Sequence, residues 1–311
     1  MTQFHDDDRL PEIPADLLKE MAEIGPIWAR DTAGHIARMT QAFSAVLAKA
    51  PARGVISQMD IAYGTHARQK LDIYRRPTSA NESALPPALL FVHGGAFVKG
   101  DRNKTSEIYS NVLRYFASHG IVGVNIGYRL ADAAPYPGAT DDVAAAVAWV
   151  RRNAGDLKID PDRIFLMGHS AGGAHTSSYA LNPRFHPPGG TGLSGLIIVS
   201  GRVRADILPE NLNAAKVVAY YGSDPAVHEE ASAVSHVTRD SLPTFVAWAE
   251  FENPLIDLHC AELVHRLAQV RRQSPPMLWL RGHNHTSSIG HLNTADQKLG
   301  LEILDFIANP R

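Results

Sequence analysis

The sequence predicts an α/β domain, a mostly parallel β-sheet covered by helices on both faces. Three observations carry this. Apolar runs without polar alternation, at residues 88–92, 121–126, 164–167, 196–199, 245–248 and 277–280, have the character of strands buried on both faces. Helical patterns lie between and after them, at 105–119, 141–153, 171–181, 258–272 and 294–307. No internal repeat or low-complexity linker breaks the chain, so its 311 residues are read as one domain with additions.

In chain order, the polar N-terminus carries a His5, Asp6, Asp7, Asp8 cluster that reads as a solvated tail ahead of a metal site. From residue 15 to 49 the pattern is helical, with Ile36, Met39, Phe43, Val46 and Leu47 sharing one face. Residues 1–50 are therefore expected to form an N-terminal helical cap segment on a body of residues 51–311. The apolar residues Ile24, Ile27 and Trp28 either pack on that body or help shape the mouth of a site. Residues 56–63 and 70–74 alternate apolar and polar side chains around a turn at Gly64, a hairpin suited to an antiparallel sheet edge. The stretches 182–195 and 201–240 are irregular, and the second has room for further cap elements.

Composition narrows the partners. A net charge of −2 gives no reason to expect nucleic acid or an anionic membrane surface, which leaves a small molecule as the default partner. The single cysteine, Cys260, excludes an internal disulfide. No apolar run is long enough to span a bilayer and the first ten residues are acidic, so the chain is read as soluble and cytoplasmic, without a membrane partner. An edge strand or the N-terminal helices could pair two copies as a homodimer.

The chemistry centres on residues 163–174, RIFLMGHSAGGA. A strand ends in G-x-S-x-G and small helix-compatible residues follow, the pattern of a sharp strand–turn–helix that exposes Ser170 as a nucleophile. The run ALLFV ends in His93-Gly94-Gly95-Ala96-Phe97, where backbone N–H groups unobstructed by bulky side chains could receive an oxyanion. Beyond the last strand, RGHNHTSS supplies His283 and His285, and an imidazole there can accept the serine proton at neutral pH. His-x-His without a third ligand at a recognisable spacing is weak as a metal pair.

HGGAF and GHSAGG, with Tyr128-Arg129-Leu130-Ala131, Tyr136-Pro137-Gly138-Ala139 and Asp141-Asp142-Val143 between them, resemble the hormone-sensitive-lipase-like branch of the α/β-hydrolase esterases and its kynurenine-formamidase-like relatives. The resemblance covers about residues 55–307. It implies an α/β-hydrolase fold with an eight-stranded sheet, residues 51–311 as the catalytic domain, and serine-ester chemistry without cofactor or metal. The oxyanion loop would run through Gly94, with the N–H groups of Gly95, Ala96 and Ala171 as donors. Family loops of the form G-x-x-H align with His285, leaving His283 as the alternative base. The chain departs from the family at Ala96, at Asp132 and in the acid loop, where Glu252-Asn253-Pro254-Leu255-Ile256-Asp257 replaces an Asp followed by Pro-Leu and a second Asp. Glu252 is the expected acid, Asp257 the alternative and Glu250 the third choice. If Asn253 occupies the usual acid position, the triad is weakened or rerouted.

The reading is a serine hydrolase that cleaves carboxylic esters of small to medium substrates through an acyl-enzyme. Amide, formamide or carbamate hydrolysis by the same triad is the alternative, and a ligand-binding protein on the same scaffold is the rival from another class.

Overall fold

The computed structural model describes residues 9–77 and 84–311; the His5, Asp6, Asp7, Asp8 cluster lies outside the described residues. Eight strands, β1 (Ile56–Ala62), β2 (Lys70–Arg75), β3 (Ala88–Val92), β4 (Val122–Ile126), β5 (Ile164–His169), β6 (Gly195–Val199), β7 (Thr244–Phe251) and β8 (Met277–Asn284), form one sheet in the order β1-β2-β4-β3-β5-β6-β7-β8. The hairpin β1–β2 and the pair β2–β4 are antiparallel, and every other pair is parallel. Register brings the strand ends that matter together: Val92 faces Gly168, His169 faces Val199, and Phe251 faces Asn284.

The helices follow from the same alternation: α1 (Ala15–Ile24), α2 (Thr32–Leu47), α3 (Ser110–Ser118), α4 (Gly138–Arg152), α5 (Ala154–Leu157), α6 (Ala171–Leu181), α7 (Ala214–Tyr221), α8 (Pro225–Ala231), α9 (Ile256–Arg271), α10 (Ser287–Gly290) and α11 (Lys298–Ala308). Side chains alternate across the sheet, so Leu90, Val92, Leu166 and Ile198 enter a core with α4, α6 and α9. Leu89, Phe91, Met167 and Ile197 enter a second core with α1, α2, α3 and α11.

Two expectations shift at their edges. The run 277–280 reads as a strand covered on both faces, yet β8 is the outermost strand, and Met277 (53% exposed) and Trp279 (49%) meet solvent. The helix expected from 105 starts at Ser110, because the Thr105 hydroxyl accepts the N–H groups of Glu107 and Ile108 and Tyr109 takes φ +81°. The irregular stretch 201–240 holds α7 and α8.

The N-terminal helices belong to the second core. Met39, Phe43, Val46 and Leu47 bury one face of α2, each worth about 1.5–3 kcal/mol on burial, enough to hold a helix that would be marginal alone. Asp31 caps α2 by accepting the Gly34 N–H at 2.9 Å. Ile24 and Trp28 are buried, while Ile27 is exposed, and the 3-10 turn Gly25–Asp31 between α1 and α2 lies against β7 and β8.

Candidate active site

Ser170 sits between β5 and α6 with φ +56° and ψ −123°, a conformation that costs about 1–3 kcal/mol and persists only where its surroundings enforce it. They do. Its N–H donates to Ser200 O at 3.2 Å, and its carbonyl accepts from the Arg202 and Gly173 N–H groups, each at 3.0 Å. A Cβ on Gly172 would stand 2.1 Å from Val92 O, and one on Gly168 would stand 2.6 Å from Gly172 O. Glycine is what lets strand and helix pass at this distance.

His285 Nε2 lies 3.0 Å from Ser170 Oγ, and His285 Nδ1 lies 2.5 Å from Glu252 Oε2. Glu252 also accepts the Ala249 N–H through Oε1 at 2.8 Å. The side chains of His285 and Glu252 are 4% and 2% exposed, so this chain of hydrogen bonds runs almost dry. A carboxylate accepts only, so Nδ1 carries the proton and Nε2 offers its lone pair to the serine hydroxyl.

The histidine is held by its backbone. Its N–H donates to Phe251 O at 3.0 Å, and its carbonyl accepts from Ser288 Oγ at 2.9 Å and from His169 Nε2 at 3.1 Å. Ser200 Oγ donates in turn to Ser288 Oγ at 2.9 Å. Burial, with His285 and Lys104 nearby, pushes the His169 pKa well below the ordinary histidine value, keeping that ring a neutral Nε2–H donor. The sequence carries a signal for His169, its place inside GHSAG, but none for Ser288.

The other candidates lie elsewhere. His283 points its Nε2 at Asp296 Oδ2, 3.1 Å away, and its Nδ1 at Ser287 Oγ, 3.2 Å away. Asp257 is exposed in the first turn of α9, and Glu250 accepts the Gly282 N–H at 2.7 Å across the β7–β8 pair. Asn253 is buried and accepts the Trp28 indole N–H at 2.9 Å.

The loop after β3 is packed against the serine. A Cβ on Gly94 would stand 2.8 Å from Ser170 Cβ, and Gly95, Ala96 and Phe97 all have positive φ, at +149°, +49° and +71°. Burial raises the Tyr109 phenol to about 12, opposed by the Gly94 backbone beside it, and a Cβ on Gly94 would stand 3.3 Å from that hydroxyl. The N–H groups of Gly95 and Ala96 have no backbone acceptor among the described residues, and Ala171 opens α6, where helix N–H groups lack partners in the helix. The Tyr128-Arg129 motif steadies this loop: Tyr128 donates to His93 O at 2.9 Å and stacks on its ring, while Arg129 pairs with buried Asp142 at 2.6 Å. Asp132 is turned to its own loop, accepting the Ala133 N–H at 2.9 Å. Phe97 stacks on Tyr220 of α7, ring centroids 5.1 Å apart, so the stretch 201–240 builds a wall beside the loop. An imidazole lone pair aimed at a serine hydroxyl can take its proton and generate an alkoxide, and backbone N–H groups without a partner are the kind of donor that stabilises an oxyanion.

Comparison with known proteins gives matches over most of the chain. Residues 71–186 match the BD-FAE family. Esterase LipC of Mycobacterium tuberculosis is 30% identical over 249 residues, 75% of this chain and 60% of LipC. The probable carboxylic ester hydrolase LipM of the same organism is 36% identical over 132 residues, 41% of this chain and 30% of LipM. The chain thus spans 60% or less of these curated relatives' own length. Among solved structures, a hyperthermophilic esterase from the archaeon Pyrobaculum calidifontis superposes with a TM-score of 0.70 at 20% identity, covering 95% of this chain and 98% of that one. The fold is that of the α/β-hydrolases. No helix among the described residues is long and apolar enough to cross a membrane.

Proposed function

We propose that this chain, which belongs to the α/β-hydrolase family among its hormone-sensitive-lipase-like esterases, is a serine hydrolase that cleaves carboxylic esters of small to medium substrates through an acyl-enzyme. The observation that carries the reading is the hydrogen-bonded series Glu252–His285–Ser170, closed at 2.5 and 3.0 Å on a strained turn.

In this reading Ser170 Oγ attacks the ester carbonyl while His285 Nε2 takes its proton. Glu252 fixes the tautomer and stabilises the imidazolium. The negative oxygen of the tetrahedral intermediate points at the N–H groups of Gly95, Ala96 and Ala171, each such donor typically worth about 2.7–4 kcal/mol in the transition state. His285 then gives its proton to the leaving alcohol, leaving an acyl group on Ser170. Water enters, His285 removes its proton, and a second intermediate collapses to the acid and free Ser170. Residues 51–311 act as the catalytic body and the N-terminal helices as its supporting layer.

The test is labelling with a fluorophosphonate probe together with hydrolysis of p-nitrophenyl esters of rising acyl length. Wild type is expected to label at one site and turn over, and Ser170→Ala to do neither while keeping its circular dichroism. Labelling or turnover retained in Ser170→Ala would refute the nucleophile.

A further inference from the structure

The histidine that stays out of the triad belongs to a second cluster. His283, His291 and Asp296 each place one donor atom so that the three lie within 4.8 Å of one another. The two imidazole rings are 4.5 Å apart, and His283 Nε2 is 3.1 Å from Asp296 Oδ2. His291 is the informative member. Its Nδ1 lies 2.6 Å from Ser287 O, and a carbonyl can only accept, so Nδ1 carries the proton and Nε2 a bare lone pair. That Nε2 is buried and has no hydrogen-bond partner among the described residues. A buried lone pair left unpaired is costly and calls for an occupant.

We propose that His283, His291 and Asp296 bind a divalent transition metal of the zinc class, clamping the end of β8 to the segment that follows α10. The donor set fits: two imidazole nitrogens and one carboxylate oxygen suit zinc with a fourth position left for water. The outer partners fit as well. Ligating histidines usually donate their other ring N–H to an oxygen, and Ser287 supplies one to each ring, its carbonyl to His291 and its Oγ, 3.2 Å away, to His283. The Asp296 side chain is 34% exposed, which gives an ion its path in. Tetrahedral zinc would draw the donor atoms to about 3.3 Å from one another, so the widest pair closes by about 1.5 Å. The clamped segment contains His285, yet the site shares no atom with the Ser170–His285–Glu252 series.

The experiment titrates the full chain, freed of metal by a chelator, with Zn²⁺ and separately with Co²⁺. One equivalent is expected to bind, with the visible absorption of tetrahedral Co²⁺ and a thermal midpoint raised by about 5 °C at a hundredfold excess over Kd. His291→Gln and Asp296→Asn are each expected to lose the absorption and weaken binding more than about tenfold, with unchanged near-UV circular dichroism. Should His291→Gln fail to fold, the partly exposed Asp296→Asn decides alone. Wild type that binds no stoichiometric metal, its cavity holding only water, overturns the site, and so does binding undiminished in Asp296→Asn.

Discussion

Replacing Glu252 by Gln keeps the shape of the side chain and removes its charge, and the structure fixes what must follow. Oε1 accepts the Ala249 N–H and Oε2 accepts from His285 Nδ1. A glutamine has one oxygen and one NH2 to place at two sites that both present N–H donors. If the oxygen takes Ala249, the NH2 faces Nδ1, and His285 moves its proton to Nε2, where it can no longer accept from Ser170. If the oxygen turns to His285, the Ala249 N–H loses its acceptor in a nearly dry pocket. The first arrangement stops base catalysis, and where a triad acid is neutralised with its geometry intact kcat falls by about 10⁴. That corresponds to about 5.5 kcal/mol at 1.36 kcal/mol per factor of ten. The assay is kcat for a p-nitrophenyl ester at pH 8, run beside Asp257→Asn, whose exposed carboxyl predicts a change below about twofold. A Glu252→Gln enzyme retaining a tenth of wild-type kcat, or Asp257→Asn falling as far as Glu252→Gln, would refute the assignment.

Gly94→Ala places a methyl 2.8 Å from Ser170 Cβ and 3.2 Å from His169 O, so kcat/KM should fall by about 10² or more, and an enzyme at wild-type kcat/KM counts against the packing described. Trp28→Phe leaves the buried Asn253 oxygen without its donor, so urea unfolding should show a loss of about 1–3 kcal/mol, with kcat reduced severalfold through the adjacent Glu252; unchanged stability contradicts the contact. Burial holds His93 and His175 at about 4 and 3 against 6.5 when unfolded, so both are neutral in the folded protein. Below pH 6.5 the unfolded chain takes up protons that the folded chain refuses, and stability should fall toward pH 4 by about 1.4 kcal/mol per pH unit for each histidine. His175→Leu should flatten that slope by one histidine's share, since neither ring nitrogen of His175 has a partner among the described residues; urea titrations from pH 8 to 5 that give parallel slopes for both proteins exclude it.

The sheet was legible because burial on both faces leaves no polar residue in a strand, and Leu89, Leu90, Phe91 and Val92 are all at 0% exposure. The same rule misjudged β8, since Met277, Leu278, Trp279 and Leu280 look no different in sequence from a central strand. Position in a sheet is a tertiary property. The serine turn was legible for a steric reason, the 2.1 Å that a Gly172 Cβ would leave to Val92 O. The acid could be narrowed only to Glu250, Glu252 and Asp257, because the direction in which the loop leaves β7 decides which carboxylate turns inward. Ser288 holds a backbone carbonyl, and a contact to the backbone imposes no pattern on the partner residue. The wall formed by Tyr220 lies in a stretch whose helices are short, and helices of seven and eight residues carry too few turns for their period to stand out.

The departure in the acid loop and the placement of the N-terminal helices are one arrangement. Asn253 is committed to Trp28, whose ring stacks on His35, centroids 5.6 Å apart, and whose carbonyl accepts from His35 Nδ1. A Cβ on Gly25 would fall 2.3 Å from the Phe251 ring, so the turn after α1 is pressed against the residue before Glu252. Phe251 O in turn holds the His285 N–H. An aspartate at 253 would put a second buried carboxylate beside Glu252, and two like charges there would raise the pKa of one of them into a range that spoils the acid's role. A neutral amide avoids this and supplies an acceptor for the indole. The amide at 253 and the indole at 28 are therefore tied to each other, and through them the N-terminal helical segment, more than 200 residues away in sequence, is fastened to the loop that carries the carboxylate at 252.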